Sequence, residues 1–196
     1  MLTSMDTTAQ LLLLAGRSGV GKSAVAEEIS SQLKRADVAH SLMDGDWLDR
    51  CFPQAPPDLF DRNFTALWRN YRSVGCSRLI YSNWASIRNA KRIIHLMGGD
   101  GADVQTVGVL LLCADDTARQ RLVGREYGGG LEWHLAQLAT PRDDADMDLA
   151  TPDWAHRVQT DDRAVEDIAG QIVELMRWRQ PGSPKGSGLS DLNFPG

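Results

Sequence analysis

The sequence predicts an α/β fold in which a parallel sheet of roughly five strands carries helices on both faces, and three observations predict it. Short apolar runs alternate with amphipathic helical stretches along most of the chain. A glycine-rich turn, Gly16 to Ser23, falls between the first such run and the first such helix. The 196 residues are 42% hydrophobic and 24% charged, which suits one compact domain with its own core. Repeated strand-helix alternation implies right-handed crossovers and three layers.

Gln10 to Ala15 is a short apolar run ending at glycine, the pattern of a strand buried on both faces. Lys22 to Leu33 follows as a helix, and Val38 to Met43 as a second strand that ends at Asp44-Gly45-Asp46. Pro53, Pro56 and Pro57 interrupt regular structure. From Leu59 to Ser73, Phe60, Phe64, Leu67, Trp68 and Tyr71 recur at helical spacing. Arg78 to Ser82 reads as the third strand, Ala85 to Met97 as a helix stopped by Gly98-Gly99, and Val104 to Cys113 as an apolar fourth strand. Asp116 to Glu126 is a basic helix. A glycine-rich and acidic stretch follows it, with a short helix near Leu131 to Leu138, and residues 119–152 together read as a lid. His156 to Gln159 supplies a fifth strand, and Ala164 to Trp178 a last helix with Val165, Ile168, Ile172 and Leu175 on one face. The domain is read as residues 1–180, and 181–196, rich in Pro, Gly and Ser, as a disordered tail.

The formal net charge of −5 argues against broad binding to nucleic-acid phosphates, which needs a basic surface. Cys51, Cys76 and Cys113 are odd in number and widely spaced, so neither a disulfide framework nor a zinc site is expected. His40, His95, His134 and His156 have no metal-ligand spacing. The run Leu11 to Ala15 is far short of the roughly 20 residues of a membrane span, and no signal pattern is present, so no membrane association and a cytoplasmic location are expected.

Gly16-Arg17-Ser18-Gly19-Val20-Gly21-Lys22-Ser23 matches the pattern GxxxxGK[ST] in full, between a predicted strand and a predicted helix as its mechanism requires. The glycines let backbone N–H groups turn inward around phosphate oxygens, and the helix dipole attracts the same anion. Lys22 is then expected at the β- and γ-phosphates of a nucleoside triphosphate, ATP or GTP, and the Ser23 hydroxyl on Mg²⁺. Asp44-Gly45-Asp46-Trp47-Leu48 stands at the carboxyl end of the second strand, where open parallel sheets place their ligand crevice. An alcohol must lose its proton as it attacks a phosphoryl group, so a carboxylate there suits an acceptor hydroxyl. An Asp-Gly turn capping a helix is the alternative reading. Arg121 and Arg125, four apart, share one helical face and form a pair able to clamp phosphates, whereas Arg119 reads equally as solvated surface.

Taken in this order from Leu11 to Met176, the motifs resemble the small-molecule kinases with a P-loop: chloramphenicol phosphotransferase, gluconate kinase, adenylylsulfate kinase and the tunicamycin-resistance ATP-binding family. The resemblance implies a kinase-like three-layer fold with a helical lid. It also implies Asp46 as the base toward the acceptor hydroxyl, Asp44 as the group orienting magnesium-bound water or acceptor, and Arg121 and Arg125 as lid arginines acting with Lys22 in catalysis. Asp44 and Asp46 can exchange these roles. Gln159-Thr160-Asp161 falls where similar folds place a loop beside the nucleotide base. The chain departs from the pattern at Leu79-Ile80-Tyr81-Ser82-Asn83, which lacks the acid that ends a Walker B strand.

The proline-interrupted, aromatic stretch Pro53 to Tyr71 is expected to cover the acceptor. Trp68 and Tyr71 are candidates to stack on a ring, Arg69 and Arg72 to meet an anionic group, and Asn83 to bind acceptor or water. Aromatics at helical spacing are also the ordinary content of a core. The reading is a phosphotransferase with a small-molecule acceptor, an antibiotic, sugar or nucleoside. Its rivals are a nucleotide-dependent switch and a drug-sequestering ATP-binding protein. Acceptor, nucleobase preference, oligomeric state and lid geometry stay open at this level.

Overall fold

The computed structural model describes residues 8–99, 103–125 and 151–178. Five parallel strands form one sheet: β1 (Ala9–Ala15), β2 (Ser41–Asp44), β3 (Arg78–Ser82), β4 (Val104–Leu112) and β5 (His156–Gln159), in the order β2-β3-β1-β4-β5. Between them run α1 (Lys22–Arg35), α2 (Leu59–Ser73), α3 (Ala90–Leu96) and α4 (Asp115–Arg125), with α5 (Val165–Met176) last. The expected α/β fold, with helices on both faces, is what the chain adopts. The short helix expected near 131–138, most of the lid and the tail at 181–196 lie outside the described residues.

β1 is the axis of the core because its apolar run has no polar side to turn to water. Leu11, Leu12, Leu13 and Leu14 are all fully buried, each worth roughly 1.5–3 kcal/mol on transfer from water. The period of two sends them to opposite faces. Leu12 and Leu14 pack with Val25 and Ile29 of α1 and Ile168 and Ile172 of α5, while Leu11 and Leu13 pack with Phe64 and Trp68 of α2 and Ile93 of α3. β1 lies between β3 and β4, so chain leaving its carboxyl end enters the crevice at the point where the strand order reverses.

Two boundaries differ from the sequence expectation for local reasons. Val38 donates its backbone N–H to Leu33 O at the end of α1, so β2 begins only at Ser41. The helix expected from Ala85 begins at Ala90: Asn83 Oδ1 takes the N–H of Ala85, Ser86 N to Asn83 O and Ala90 N to Ile87 O are turn bonds, and Asn89 N to Ala85 O is a single helical bond between them. A side chain that bonds nearby backbone competes with helix in this way.

Candidate functional site

The phosphate loop leaves the carboxyl end of β1 and enters α1. Gly16 and Gly19 have φ of 140° and 81°, and a Cβ there would lie 2.8 Å from Leu111 O and 2.6 Å from Ala118 O. The loop is therefore pressed against β4 and α4 closely enough to exclude any side chain at these positions. α1 opens on Gly21 with neither a side-chain cap nor an acid in its first turn. In contrast, α2, α4 and α5 begin with Asp61, Asp115 and Asp116, and Glu166 and Asp167. The first turn of α1 thus holds no acid of its own to offset the positive end of the helix, which favours anion binding at a helix start. Lys22 Nζ folds back over the loop, donating to Gly16 O at 2.8 Å and Arg17 O at 3.0 Å.

Two arginines hold this loop in place. Arg17, 7% exposed, donates to Asp115 Oδ1 at 2.7 Å and Cys113 O at 3.0 Å. Arg121 donates through Nη1 to Val20 O (3.0 Å) and Thr160 Oγ1 (2.9 Å), and through Nη2 to Thr160 O (2.8 Å). Fully buried Thr160 gives its own hydroxyl to Val20 O. Asp161 accepts from Ala114 N, and its bonds to the Thr117 side chain and that N–H hold its carboxyl below the usual range. Burial pushes the nearby Cys113 thiol up, which makes it an inert core group. The chain thus joins the stretch Gln159-Thr160-Asp161 to the phosphate loop, a contact that no sequence spacing announces. In this structure Arg121 grips the backbone of the loop. The side chain of Arg125, at the end of α4, lies outside what is described.

Across the crevice, Asp44 ends β2 and caps the turn Gly45–Trp47 by accepting from Asp46 N at 3.0 Å. The capping reading of this aspartate therefore holds, and it leaves the second carboxylate oxygen for other partners. Asp46 accepts from Asn83 Nδ2 at 2.8 Å. Asn83, expected at the acceptor, thus ties the end of β3 to the turn after β2. The Gly45 backbone lies against the Tyr81 hydroxyl so closely that a Cβ would collide with it. Burial, with the negative charges of Asp46 and Asp44 nearby, pushes the Tyr81 phenol far up, so it stays protonated. A cavity of about 260 Å³ opens between α1 and the strand ends, lined by Ser23, Ala26, Glu27, Leu42, Asp44 and Ser82. Its hydroxyl and carboxylate oxygens are hard donors of the kind Mg²⁺ takes. No cluster of three or more His, Cys, Asp or Glu able to hold a metal occurs among the described residues.

Three of the expected acceptor residues are elsewhere. Trp68 is 3% exposed, packs in the core beneath α2 and α3, and donates its indole N–H to Met97 O at 3.0 Å, so it does not stack on a ligand. Arg69 and Arg72 occupy the last turns of α2, which runs back against the strands and turns into β3 at Arg78. They therefore lie at the amino edge of the sheet, opposite the phosphate loop, and Arg72 stacks on the Trp68 ring instead. The aromatics that do flank Asp46 are Trp47, 67% exposed, and Trp84, 50% exposed, with Arg50 and Arg88 over their rings. The signal for them was their position directly after the two strand ends.

No protein-family model matches the chain, and no curated protein is similar to it in sequence. Solved structures do share its fold. APS kinase CysC of Mycobacterium tuberculosis, solved with AMPPNP and APS, has a TM-score of 0.53 at 16% identity over 87% of this chain and 98% of that one. The tunicamycin resistance protein of Deinococcus radiodurans has 0.51 at 16% over 85% and 95%. Shikimate kinase of Acinetobacter baumannii, solved with shikimate, has 0.50 at 18% over 89% and 96%. The chain therefore has the fold of P-loop small-molecule kinases, the group its motifs resemble.

Proposed function

We propose that this chain is a phosphotransferase that moves the γ-phosphoryl group of ATP or GTP to a hydroxyl of a small molecule. The observation that carries the reading is the Asp46–Asn83 hydrogen bond, which fixes a carboxylate at the same edge of the sheet as Lys22 and Ser23. In the free site Lys22 rests on the loop carbonyls, and with nucleotide present its ammonium turns to the β- and γ-phosphates. The backbone from Gly16 to Gly21 and the start of α1 receive the phosphate oxygens. Asp46 accepts the acceptor's hydroxyl proton as that oxygen attacks phosphorus. Magnesium, held through Ser23 with Asp44 beside it, would offset the negative charge around the transferred group. Arg121 acts by fixing the loop that holds the phosphates, and Arg125 carries the lid role.

The acceptor class remains an antibiotic, a sugar or a nucleoside. The antibiotic comes first because one fold neighbour is a tunicamycin resistance protein. We assign the enzyme to the cytoplasm, with residues 1–180 as its domain. Among the described residues no helix is long and apolar enough to cross a membrane. A second reading, a nucleotide-dependent switch or a drug-sequestering protein with slow hydrolysis, draws on one observation: neutral Ser82 ends β3 where a Walker B strand carries an acid. The deciding experiment incubates the protein, Mg²⁺ and ATP or GTP with antibiotics, sugars and nucleosides, and reads products by mass spectrometry. One acceptor heavier by a phosphate is the expected result. Hydrolysis without any phosphorylated acceptor would favour the switch or sequestering protein.

A further inference from the structure

We propose that Glu27 of α1 supplies the metal-facing carboxylate that β3 lacks, so that the divalent cation of the nucleotide site is held between α1 and β2. The inference rests on the phosphotransferase reading, because the cation arrives with the nucleotide. Magnesium bound to a serine hydroxyl and to phosphates keeps several waters, and carboxylates around it orient those waters and balance its charge. At the end of β3 the residue facing α1 is Ser82, which can orient a water but brings no charge. The charge must come from neighbouring elements.

Two carboxylates face the same cavity. Asp44 is in register with Ser82 across the β2–β3 pair. Glu27 lies one helical turn after Ser23, so both project from one side of α1. The two acids on α1 contrast sharply. Glu28 is bound to Arg35 and Gln32, which hold its carboxyl below the usual range, whereas the Glu27 carboxylate makes no ion pair or hydrogen bond among the described residues. Independent of the acids, Ser82 is 2% exposed and lines the cavity, and its hydroxyl has no hydrogen-bond partner among the described residues. The hydroxyl is open to the cavity, where a water of a bound cation can reach it. The volume, about 260 Å³, accommodates a cation with part of its water shell at roughly 30 Å³ per water. Ser23, Glu27, Asp44 and Ser82 thus form one oxygen-lined wall.

The test uses the full chain with Mn²⁺ as probe and a non-hydrolysable ATP analogue, reading bound Mn²⁺ by electron paramagnetic resonance. Glu27→Gln should weaken Mn²⁺ binding in the presence of the analogue about tenfold and leave metal-free binding of the analogue unchanged. Glu28→Gln should leave both unchanged. Mn²⁺ affinity of Glu27→Gln within twofold of the parent chain would overturn the assignment, as would an equal loss in Glu28→Gln, which would reduce the effect to general charge. If the parent chain binds no Mn²⁺ with the analogue, the phosphotransferase reading itself falls.

Discussion

The phosphate loop is held by arginines and by close backbone contact: Arg17 reaches Asp115 and Cys113 O, Arg121 reaches Val20 O and Thr160, and Gly19 lies on the backbone of Ala118. The acidic turn across from it is framed by neutral donors: Asn83 Nδ2 to Asp46, Asp46 N to Asp44 and Leu48 N to Gly45 O within the turn, and Asn63 Nδ2 to Leu48 O at its end. Around that turn Trp47 and Trp84 stay open to solvent. One half of the site is set before any ligand arrives and the other is left accessible. This division suits a reaction in which the donor's phosphates need fixed geometry and charge, while the acceptor must enter, lose a proton and leave.

Substitutions on the two sides should therefore fail differently. The largest effect is expected from Lys22→Ala, which removes the cation meeting the transferred group. Phosphoryl transfer should fall roughly 10³-fold, and full activity in a coupled assay would remove the phosphate-loop argument. Asp46→Asn comes next, with turnover roughly 10²-fold lower and nucleotide affinity, measured by calorimetry, nearly intact. An unchanged rate here, together with a collapsed rate in Asp44→Asn, would move the base to Asp44.

Gly19→Ala probes the grip on the loop without removing a functional group. The positive φ and the approach to Ala118 O should cost about 1–3 kcal/mol, read as a melting temperature several degrees lower and weaker nucleotide binding. A fully stable Gly19→Ala would mean that α4 yields easily. The smallest effect belongs to Trp68→Phe, which leaves Met97 O without its donor at a cost of about 1–2 kcal/mol. Turnover and acceptor KM should not change, and a raised KM would bring Trp68 back to the acceptor.

The phosphate loop and the Asp-Gly-Asp turn were legible in the chain because each is a contiguous run whose chemistry depends on local spacing. β1 was legible for a similar reason, since four consecutive leucines have one stable destination. Trp68, Arg69 and Arg72 misled because helical periodicity reports which face of α2 is apolar, and says nothing of which end of the helix meets the crevice. That end is fixed by the direction of the neighbouring strands.

By itself, then, the sequence determined the α/β alternation, the loop that starts α1 and the carboxylates after β2, all properties of residues close together in the chain. Tertiary structure alone decided that Arg121 and Thr160 close on the loop carbonyl of Val20, that Asn83 orients Asp46, and that Glu27 shares a wall with Asp44 and Ser82. These contacts join residues 37 to 140 positions apart or depend on which strands are neighbours. The β2-β3-β1-β4-β5 order, chosen by burial of the whole sheet, brings them together.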